Sequence, residues 1–300
     1  MTRTVRRPGF SLVELLVVIG IVAVLIGLLV PAIQRIRAAA ALTGCTNNLK
    51  QIGLAAHQFH NVNSAFPSGV QDLRSVDGYP FSSWLTHLLP CLEQQALWDS
   101  TVSAYAQTRN PRNNPPHVGL ATVVPVFACP SDGRVEHVQF APSNGINVAL
   151  TSYLGVLGTN LKDRGGVLYR NSHVRIADIT DGTSNTLFAG ERPPSADFQY
   201  GWWYAGIGQG YSGSLDMILG AQEINVLPAK LNSCPAGPYS YGPGSLANPC
   251  DIFHFWSLHA GGGNFLLADG SVRFVSYGIS TSTLTAAATI SRGDTLGSDW

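Results

Sequence analysis

Residues 10–33 read FSLVELLVVIGIVAVLIGLLVPAI, and this stretch decides the architecture of the chain. Seventeen of its 24 positions are Leu, Ile, Val or Phe, and Glu14 is its one charged residue. A helix of about 20 apolar residues spans about 30 Å of hydrocarbon. So many apolar side chains outweigh the cost of inserting one acid, which is about 2.5–3.5 kcal/mol. The stretch therefore predicts a transmembrane helix over residues 12–33.

The charges on either side of this helix predict its orientation. Arg3, Arg6 and Arg7 precede it, whereas only Arg35 and Arg37 follow closely. The positive-inside rule places the N-terminus in the cytoplasm and the rest of the chain outside the inner membrane, as a periplasmic head. Without residues 1–9 the chain has 15 basic residues (18 minus 3) and 18 acidic ones. A slightly acidic body without a basic patch argues against a nucleic-acid partner.

The helix is predicted to continue beyond the membrane. Apolar residues recur at steps of three and four along one helical face, at Leu42, Cys45, Leu49, Ile52, Ala56 and Phe59. Residues 10–61 therefore form one predicted helix, whose amphipathic part (34–61) packs on a head formed by residues 62–300. The head contains short strand-like runs at 123–128, 135–140, 153–157 and 186–189, separated by turns rich in Gly and Pro. The predicted fold class is α+β, with an antiparallel β-rich head.

Glu14 is the unexpected residue, because an acid inside a membrane-spanning segment is costly and usually has both a partner and a function. It lies four residues after Phe10, which follows Arg-Arg-Pro-Gly. Cleavage after Gly9 would create a positive α-amine on Phe10. A second copy of the chain, shifted along the helix axis, could pair that amine with Glu14 of its neighbour. This pairing would neutralise both charges in the apolar layer and stack the helices.

The segment GFSLVELLVVIGIVAVLIGLLVPAI (9–33) resembles the class III signal of type IV pilins and type II secretion pseudopilins. The resemblance implies that residues 1–9 are a leader, that a prepilin peptidase cuts after Gly9, and that it methylates the Phe10 amine. It also implies a pilin-like fold and assembly with other subunits. Two alternatives are an uncleaved signal anchor and a lipoprotein cleaved before Cys45 in Leu42-Thr43-Gly44-Cys45. An uncleaved anchor needs no acid four residues after Phe10. A lipoprotein box should follow the apolar core directly, whereas Leu42-Thr43-Gly44-Cys45 is separated from it.

The stretch HAGGGNFLLADGSVRFV (259–275) predicts a β-hairpin. A two-residue type I′ turn at Asp269-Gly270 would pair Leu267 with Val272 and Phe265 with Phe274 on the core face. With segments 46–60, 127–132 and 179–192, the H-x9-D-G pattern from His259 to Gly270 resembles a large bacterial family of prepilin-like proteins. That family is related to the major pseudopilin of general secretion, and its molecular role is largely unassigned.

The polar motifs of the head are predicted to be structural. His259 and Asp269 suggest a hydrogen bond that pins the hairpin, since no nucleophile accompanies them. Asp181 to Asn185 (DGTSN) could bind calcium, but it lacks the ligand spacing of a dedicated loop and favours a capped turn. Glu191 is expected to pair with Arg192. The aromatic residues at 202–204 and 253–256 favour core packing over a sugar-stacking platform. We expect no catalytic residue, metal or cofactor.

The five cysteines of a head outside the inner membrane predict at least one disulfide. Cys234 and Cys250 bracket a loop of 15 residues, and joining them would contribute about 3 kcal/mol. Cys45 and Cys129 either pair or stay buried, and Cys91 is the odd thiol.

The sequence is compatible with two functions. The favoured one is a pilin or pseudopilin subunit of the inner membrane, which could reach the cell surface after assembly. The alternative is a membrane-anchored extracytoplasmic ligand-binding module that uses the pilin-like helix only as an anchor. Glu14 distinguishes them, because only assembly requires it.

Overall fold

The computed structural model describes residues 12–74 and 78–300. Gly9 and Phe10, which carry the predicted cleavage junction, lie outside the described residues. A single helix, α1, runs from Leu12–Asn63 and passes through Pro31 without ending. The prediction of one long N-terminal helix is therefore confirmed. The contacts within the chain divide it into two units between Ala41 and Leu42, so the last part of α1 belongs to the head.

The head contains short helices and strands joined by long connections. Its further α-helices are α2 (Trp84–His87), α3 (Gln95–Gln107) and α4 (Thr281–Ala287). Short 3-10 helices lie at Leu89–Leu92, Val118–Ala121, Pro125–Phe127, Ile176–Asp178, Gln209–Tyr211 and Pro249–Phe253. The strands are β1 (Gln139–Ala141), β2 (Ile146–Val148), β3 (Tyr153–Val156), β4 (Leu187–Glu191), β5 (Ile218–Leu219), β6 (Gln222–Glu223), β7 (Tyr239–Ser240), β8 (Gly262–Leu267) and β9 (Val272–Ser276).

A five-stranded sheet with the order β5-β3-β4-β8-β9 organises the head. The pairs β3–β4, β4–β8 and β8–β9 are antiparallel, and β5 pairs with β3 in parallel. Strands β1 and β2 form a separate hairpin, and β6 and β7 form another two-stranded antiparallel sheet. The α+β class with a mainly antiparallel head is confirmed.

Both faces of the sheet are covered, because every residue of the central strands β4 and β8 is buried. Alternate side chains of β8 enter two different apolar clusters, as the period of two in a strand requires. Leu266 joins the cluster that includes the head part of α1. Phe265 and Leu267 join the opposite cluster, which includes Leu284 of α4. The sheet therefore lies between two apolar layers.

The C-terminal part of α1 forms part of the core beneath this sheet. Cys45, Leu49 and Ile52 are fully buried. Gly53 lies against the β8–β9 hairpin, where a Cβ would come within 2.7 Å of Leu266 and 3.3 Å of Gly270. Only a residue without a side chain allows the helix and the hairpin to approach this closely. A head fragment therefore needs the residues from about 42 onward, and not only those from 62.

The β8–β9 hairpin forms, but the predicted pairing is wrong by one residue. Leu266 pairs with Val272 and Phe265 pairs with Arg273. The turn is a three-residue loop whose last residue, Gly270, has φ +81. The Gly270 N–H donates to the Leu267 carbonyl at 2.9 Å, a pattern expected of a type I turn followed by a left-handed glycine. The extra loop residue places Phe274 on the edge strand opposite Asn264, where it is 42% exposed.

Two other local predictions have different outcomes. The run at 123–128 is not a strand, because a 3-10 helix occupies Pro125–Phe127 and proline cannot donate to a strand ladder. The aromatic residues, by contrast, are buried, which confirms core packing: Trp202, Trp203, Tyr204, Phe253, Phe255 and Trp256 are each at most 3% exposed.

Candidate functional site

The first candidate site is the surface of α1 outside the head. Every residue from Leu12 to Ala40 is exposed, although most of the large side chains are apolar. Glu14 lies in the first turn of the helix. By length and composition this helix can cross a membrane. An apolar cylinder of this kind is suited to contact with lipid or with other apolar helices.

The second candidate site lies in the head, where four separate segments converge. Cys45 comes from α1, Cys129 from the loop after Pro125–Phe127, Glu191 from the end of β4, and His259 from the loop before β8. One ligand atom from each residue lies within 4.8 Å of the corresponding atoms of the others. We call these four residues the Cys–Glu–His cluster. Their exposed fractions are 0, 6, 2 and 9%, so the cluster is buried.

The imidazole of His259 contacts other groups through both ring nitrogens. Its Nε2 lies 3.2 Å from Glu191 Oε1 and 3.6 Å from Cys129 Sγ. Its Nδ1 lies 3.4 Å from the hydroxyl of Ser131. The backbone N–H of His259 donates to Ser257 Oγ at 3.0 Å, which holds the loop before β8. The ring is thus oriented with Nε2 towards the sulfur and the carboxylate.

The buried carboxylate of Glu191 is held mainly by one residue of β8. The backbone N–H of Asn264 donates to Oε2 at 2.6 Å, and the Asn264 side-chain amide donates to Oε1 at 3.3 Å. Asn264 Oδ1 in turn accepts from the Thr46 hydroxyl on α1 at 3.3 Å. A buried acid is stable only when such donors compensate for the lost water. The network therefore joins α1, β4 and β8 around Glu191.

Disulfides join Cys45 to Cys129 and Cys234 to Cys250. The Cys234–Cys250 disulfide is the pair that the sequence predicts. The sequence leaves Cys45 and Cys129 either paired or simply buried, and the structure pairs them. Cys91 is a free thiol, and burial raises its pKa. The lipoprotein interpretation does not fit, because Cys45 lies inside α1 and its sulfur is bonded to Cys129.

The predicted hydrogen bond between His259 and Asp269 is wrong. His259 precedes β8 and Asp269 follows it, and a strand of six residues separates its ends by about 20 Å. The Asp269 carboxylate instead accepts from the Ser271 N–H at 2.7 Å within the turn. The expected pairing of Glu191 with Arg192 is also wrong. The Glu191 carboxylate contacts His259 and Asn264, whereas the Arg192 guanidinium donates to the carbonyl oxygens of Pro193 and Leu215.

Asp181 and Asn185 form the capped turn that the sequence favours. The Asn185 N–H donates to the Gly182 carbonyl at 3.0 Å, just before β4. Both oxygens of Asp181 accept backbone N–H groups, from Arg292 and from Gly293, each at 2.9 Å. The Asp181 carboxylate therefore fastens the C-terminal segment to this turn, which is a structural role.

Comparison with known families now identifies the chain. Residues 34–281, most of the sequence, match the family described as "Protein of unknown function (DUF1559)". The chain belongs to this family. Residues 5–30 match the prokaryotic N-terminal methylation motif. No curated protein and no solved structure matches the chain.

The two matches coincide with the two candidate sites. The methylation motif includes Glu14 and the exposed start of α1, and together these features indicate a pilin-like precursor anchored in a membrane. The DUF1559 region includes the whole Cys–Glu–His cluster and the β8–β9 hairpin. The methylation motif therefore concerns the membrane-anchored N-terminal part of the chain, and the DUF1559 match concerns the head.

Sequence reasoning missed the Cys–Glu–His cluster because its members are up to 214 positions apart (45 to 259). A signal was nevertheless present. Cys129, Glu191 and His259 each lie in one of the segments that carry the family resemblance, and Cys45 directly precedes another. Motif segments that recur together point to residues that meet in the fold, even where spacing alone does not.

Replacing Glu191 by alanine is expected to lower the unfolding free energy of the DUF1559 head by about 3 kcal/mol. The change leaves the buried Asn264 N–H without its acceptor and removes the contact between the carboxylate and the His259 ring. Asp269→Ala is the control, because Asp269 is exposed and its loss should cost about 1 kcal/mol. Denaturant unfolding of the full chain in micelles measures both. Equal losses for the two variants would contradict the assigned role of Glu191.

A pH dependence follows from the buried carboxyl group of Asp216, which interacts with the charge of the buried Arg192. Arg192 is fully buried, and its guanidinium donates to the carbonyl oxygens of Pro193 and Leu215. Burial raises the pKa of Asp216 from 3.8 to about 6, against the opposing effects of the Gly208 N–H and of the Arg192 charge. Because the pKa is higher in the folded chain, this contribution to stability is complete below pH 3.8 and is lost as the pH rises through about 6.

The unfolding free energy of the native chain should therefore fall, relative to that of Asp216→Asn, by about 2 kcal/mol between pH 4 and pH 7. The asparagine variant lacks the titrating group, so the difference between the two curves isolates it. Unfolding in denaturant at a series of pH values gives both curves. Parallel curves would show that Asp216 does not titrate in this range.

Proposed function

We propose that this chain is a pilin- or pseudopilin-like subunit. Processing after Gly9 by a prepilin peptidase releases it for assembly, through its N-terminal helices, into a pilus or a secretion pseudopilus. The observation that carries the proposal is Glu14, a carboxylate at the start of an exposed apolar helix and at the fifth position after Gly9.

The energetics favour a partner for this acid from another subunit. The apolar residues of 10–33 favour insertion by about 5–10 kcal/mol, so the chain enters the membrane despite the acid. Within the membrane the carboxylate still lacks water, and an opposite charge nearby stabilises it. The new α-amine of Phe10 on a neighbouring copy supplies that charge. Each added subunit then neutralises one acid and one amine, which favours growth of a helical stack.

The charges before the apolar helix and the disulfides of the head both agree with a position of the head outside the inner membrane. Three arginines precede the apolar helix, which keeps the N-terminus in the cytoplasm. The two disulfides suit an oxidising compartment. We propose that the head is not an enzyme. The cavity beside Cys129 and Glu191 measures about 10 Å³, which is room for about one water and not for a substrate.

Electron microscopy of surface material sheared from the native bacterium tests the proposal. An antibody against the head should label filaments in this material. A strain that lacks the gene, and the same strain complemented with it, provide the matched controls. If the antibody labels only membrane fragments, and no filament is labelled in the native or the complemented strain, assembly would be refuted. That result would favour a membrane-anchored ligand-binding module.

A further inference from the structure

The Cys–Glu–His cluster contains the donor types of a structural zinc site. Two thiolates, one neutral imidazole and one carboxylate are all common ligands of Zn²⁺, and four protein ligands form a closed tetrahedral site. Each donor comes from a different segment, so a bound ion would link α1, the loop at Cys129, β4 and the loop before β8. In the disulfide form the two sulfurs are bonded to each other and cannot provide two thiolates.

We propose that the dithiol form of this head binds one Zn²⁺ through Cys45 Sγ, Cys129 Sγ, His259 Nε2 and a Glu191 oxygen, as an alternative to the Cys45–Cys129 disulfide. The same four residues thus have two stable arrangements. One is a covalent link between α1 and the loop at Cys129, and the other is a metal link that also includes β4 and the loop before β8.

The distances in the disulfide form already match much of a tetrahedral site. With zinc–sulfur bonds of about 2.3 Å and zinc–nitrogen and zinc–oxygen bonds of about 2.0–2.2 Å, neighbouring ligand atoms lie roughly 3.4–3.8 Å apart. His259 Nε2 lies 3.6 Å from Cys129 Sγ and 3.2 Å from Glu191 Oε1. The main rearrangement is the separation of the two sulfurs after their bond is broken.

The groups around the cluster orient its ligands. Ser131 Oγ lies 3.4 Å from His259 Nδ1, where it can accept the Nδ1 proton and leave the Nε2 lone pair towards the site. Asn264 holds Glu191 through two hydrogen bonds. Supporting contacts of this kind fix the tautomer of a histidine ligand and the direction of a carboxylate. They are in place before any ion binds, which reduces the cost of organising the site.

Reduction of the disulfide and binding of zinc need no group of the chain other than the four residues of the Cys–Glu–His cluster. A dithiol reductant transfers two electrons and two protons to the disulfide, which becomes two thiols while the reductant forms its own disulfide. Zinc then binds the two thiolates, and the two thiol protons are released to solvent. Two soft sulfur ligands favour zinc over calcium or magnesium, which prefer oxygen.

Cobalt binding to the reduced full chain in micelles tests the proposal. The chain is reduced under anaerobic conditions with a phosphine, and Co²⁺ is then added. We expect thiolate-to-cobalt charge-transfer absorption that saturates at one ion per chain and disappears when Zn²⁺ displaces the cobalt. A chain that loses its fold on reduction and regains it with the metal would give the same absorption and would also support the site.

Three variants locate the site. Cys129→Ser should lose at least half of the absorption, because one of the two thiolates is gone, and His259→Gln should weaken cobalt binding roughly 10–100-fold or more. The double variant Cys234→Ser/Cys250→Ser is the matched control and should keep the absorption, because these sulfurs form the other disulfide. A reduced native chain without this absorption, folded or unfolded, would overturn the proposal. So would absorption that is undiminished in Cys129→Ser or that disappears in the double variant.

Discussion

Replacing Glu14 by alanine is expected to abolish assembly into filaments and to leave the chain inserted in the membrane. The change removes a buried acid from the apolar layer, so insertion becomes more favourable by about 2.5–3.5 kcal/mol. It also removes the only carboxylate of residues 10–33, which the Phe10 amine of a neighbouring subunit would need. Membrane fractionation measures insertion, and electron microscopy of sheared material measures assembly.

Leu16→Ala is the matched control for this experiment. Leu16 is exposed on the same part of α1, and its replacement removes apolar surface without changing charge. Filaments should still form in this variant. Normal filaments with Glu14→Ala would contradict the proposed pairing and would favour the alternative in which the helix serves only as an anchor. Loss of insertion in Glu14→Ala would contradict the assignment of the helix as a membrane span.

Loss of the Cys45–Cys129 disulfide is expected to have the largest effect on the stability of the head. This bond joins residues 84 positions apart, and the entropy of closing such a loop corresponds to about 4–5 kcal/mol. Typical domains have an unfolding free energy of only about 5–15 kcal/mol. The double variant Cys45→Ser/Cys129→Ser should therefore lose a large part of its stability. Denaturant unfolding of the oxidised full chain in micelles measures this loss.

The double variant Cys234→Ser/Cys250→Ser provides the comparison. Its bond spans 16 positions and should contribute about 3 kcal/mol, which is less than the bond between α1 and the loop at Cys129. The Cys234 bond also lies away from the helix, so its loss should leave the packing of Leu49 and Ile52 unchanged. A smaller loss for the Cys45 pair than for the Cys234 pair would show that the first disulfide does not secure the helix to the head.

The N-terminal helix could be predicted from the sequence because its signal is local and continuous. Nineteen uncharged residues from Leu15 to Ile33 admit few alternatives to a membrane span, and the spacing from Leu42 to Phe59 continues the same helix. The structure extends the helix to Asn63 and buries Cys45, Leu49 and Ile52 in the head. The uncharged run and the helical spacing are both patterns within one continuous segment, so they predict the helix without any information about tertiary contacts.

The β8–β9 hairpin shows where local reasoning is less reliable. The dipeptide Asp269-Gly270 correctly placed the turn, but the same two residues occur in two-residue and in three-residue loops. The choice between them shifts the register by one, which moved Phe274 from a predicted core position to an exposed one. Hydrogen bonds of Leu267 with Gly270 and Ser271 decide the loop length. The hairpin also lies against Gly53 of α1, a tertiary contact that the hairpin sequence does not reveal.

The Cys–Glu–His cluster could not be derived from spacing at all. The motif predicts a contact of His259 with Asp269, but His259 contacts Glu191, which is 68 positions away. Strand pairing explains the difference, because the antiparallel pairing of β4 with β8 brings the end of β4 to the start of β8. Glu191 and His259 meet there, whereas Asp269 lies at the opposite end of β8.

Mass spectrometry of the native N-terminus tests the central claim most directly. If the chain is processed as a prepilin, the mature protein begins at Phe10 and carries a methyl group on its amine. The mass of the N-terminal peptide then excludes residues 1–9 and includes Glu14. A mature chain that begins at Met1, or at an acylated Cys45, would mean that no amine is created beside the acid, and the proposed assembly would fail with it.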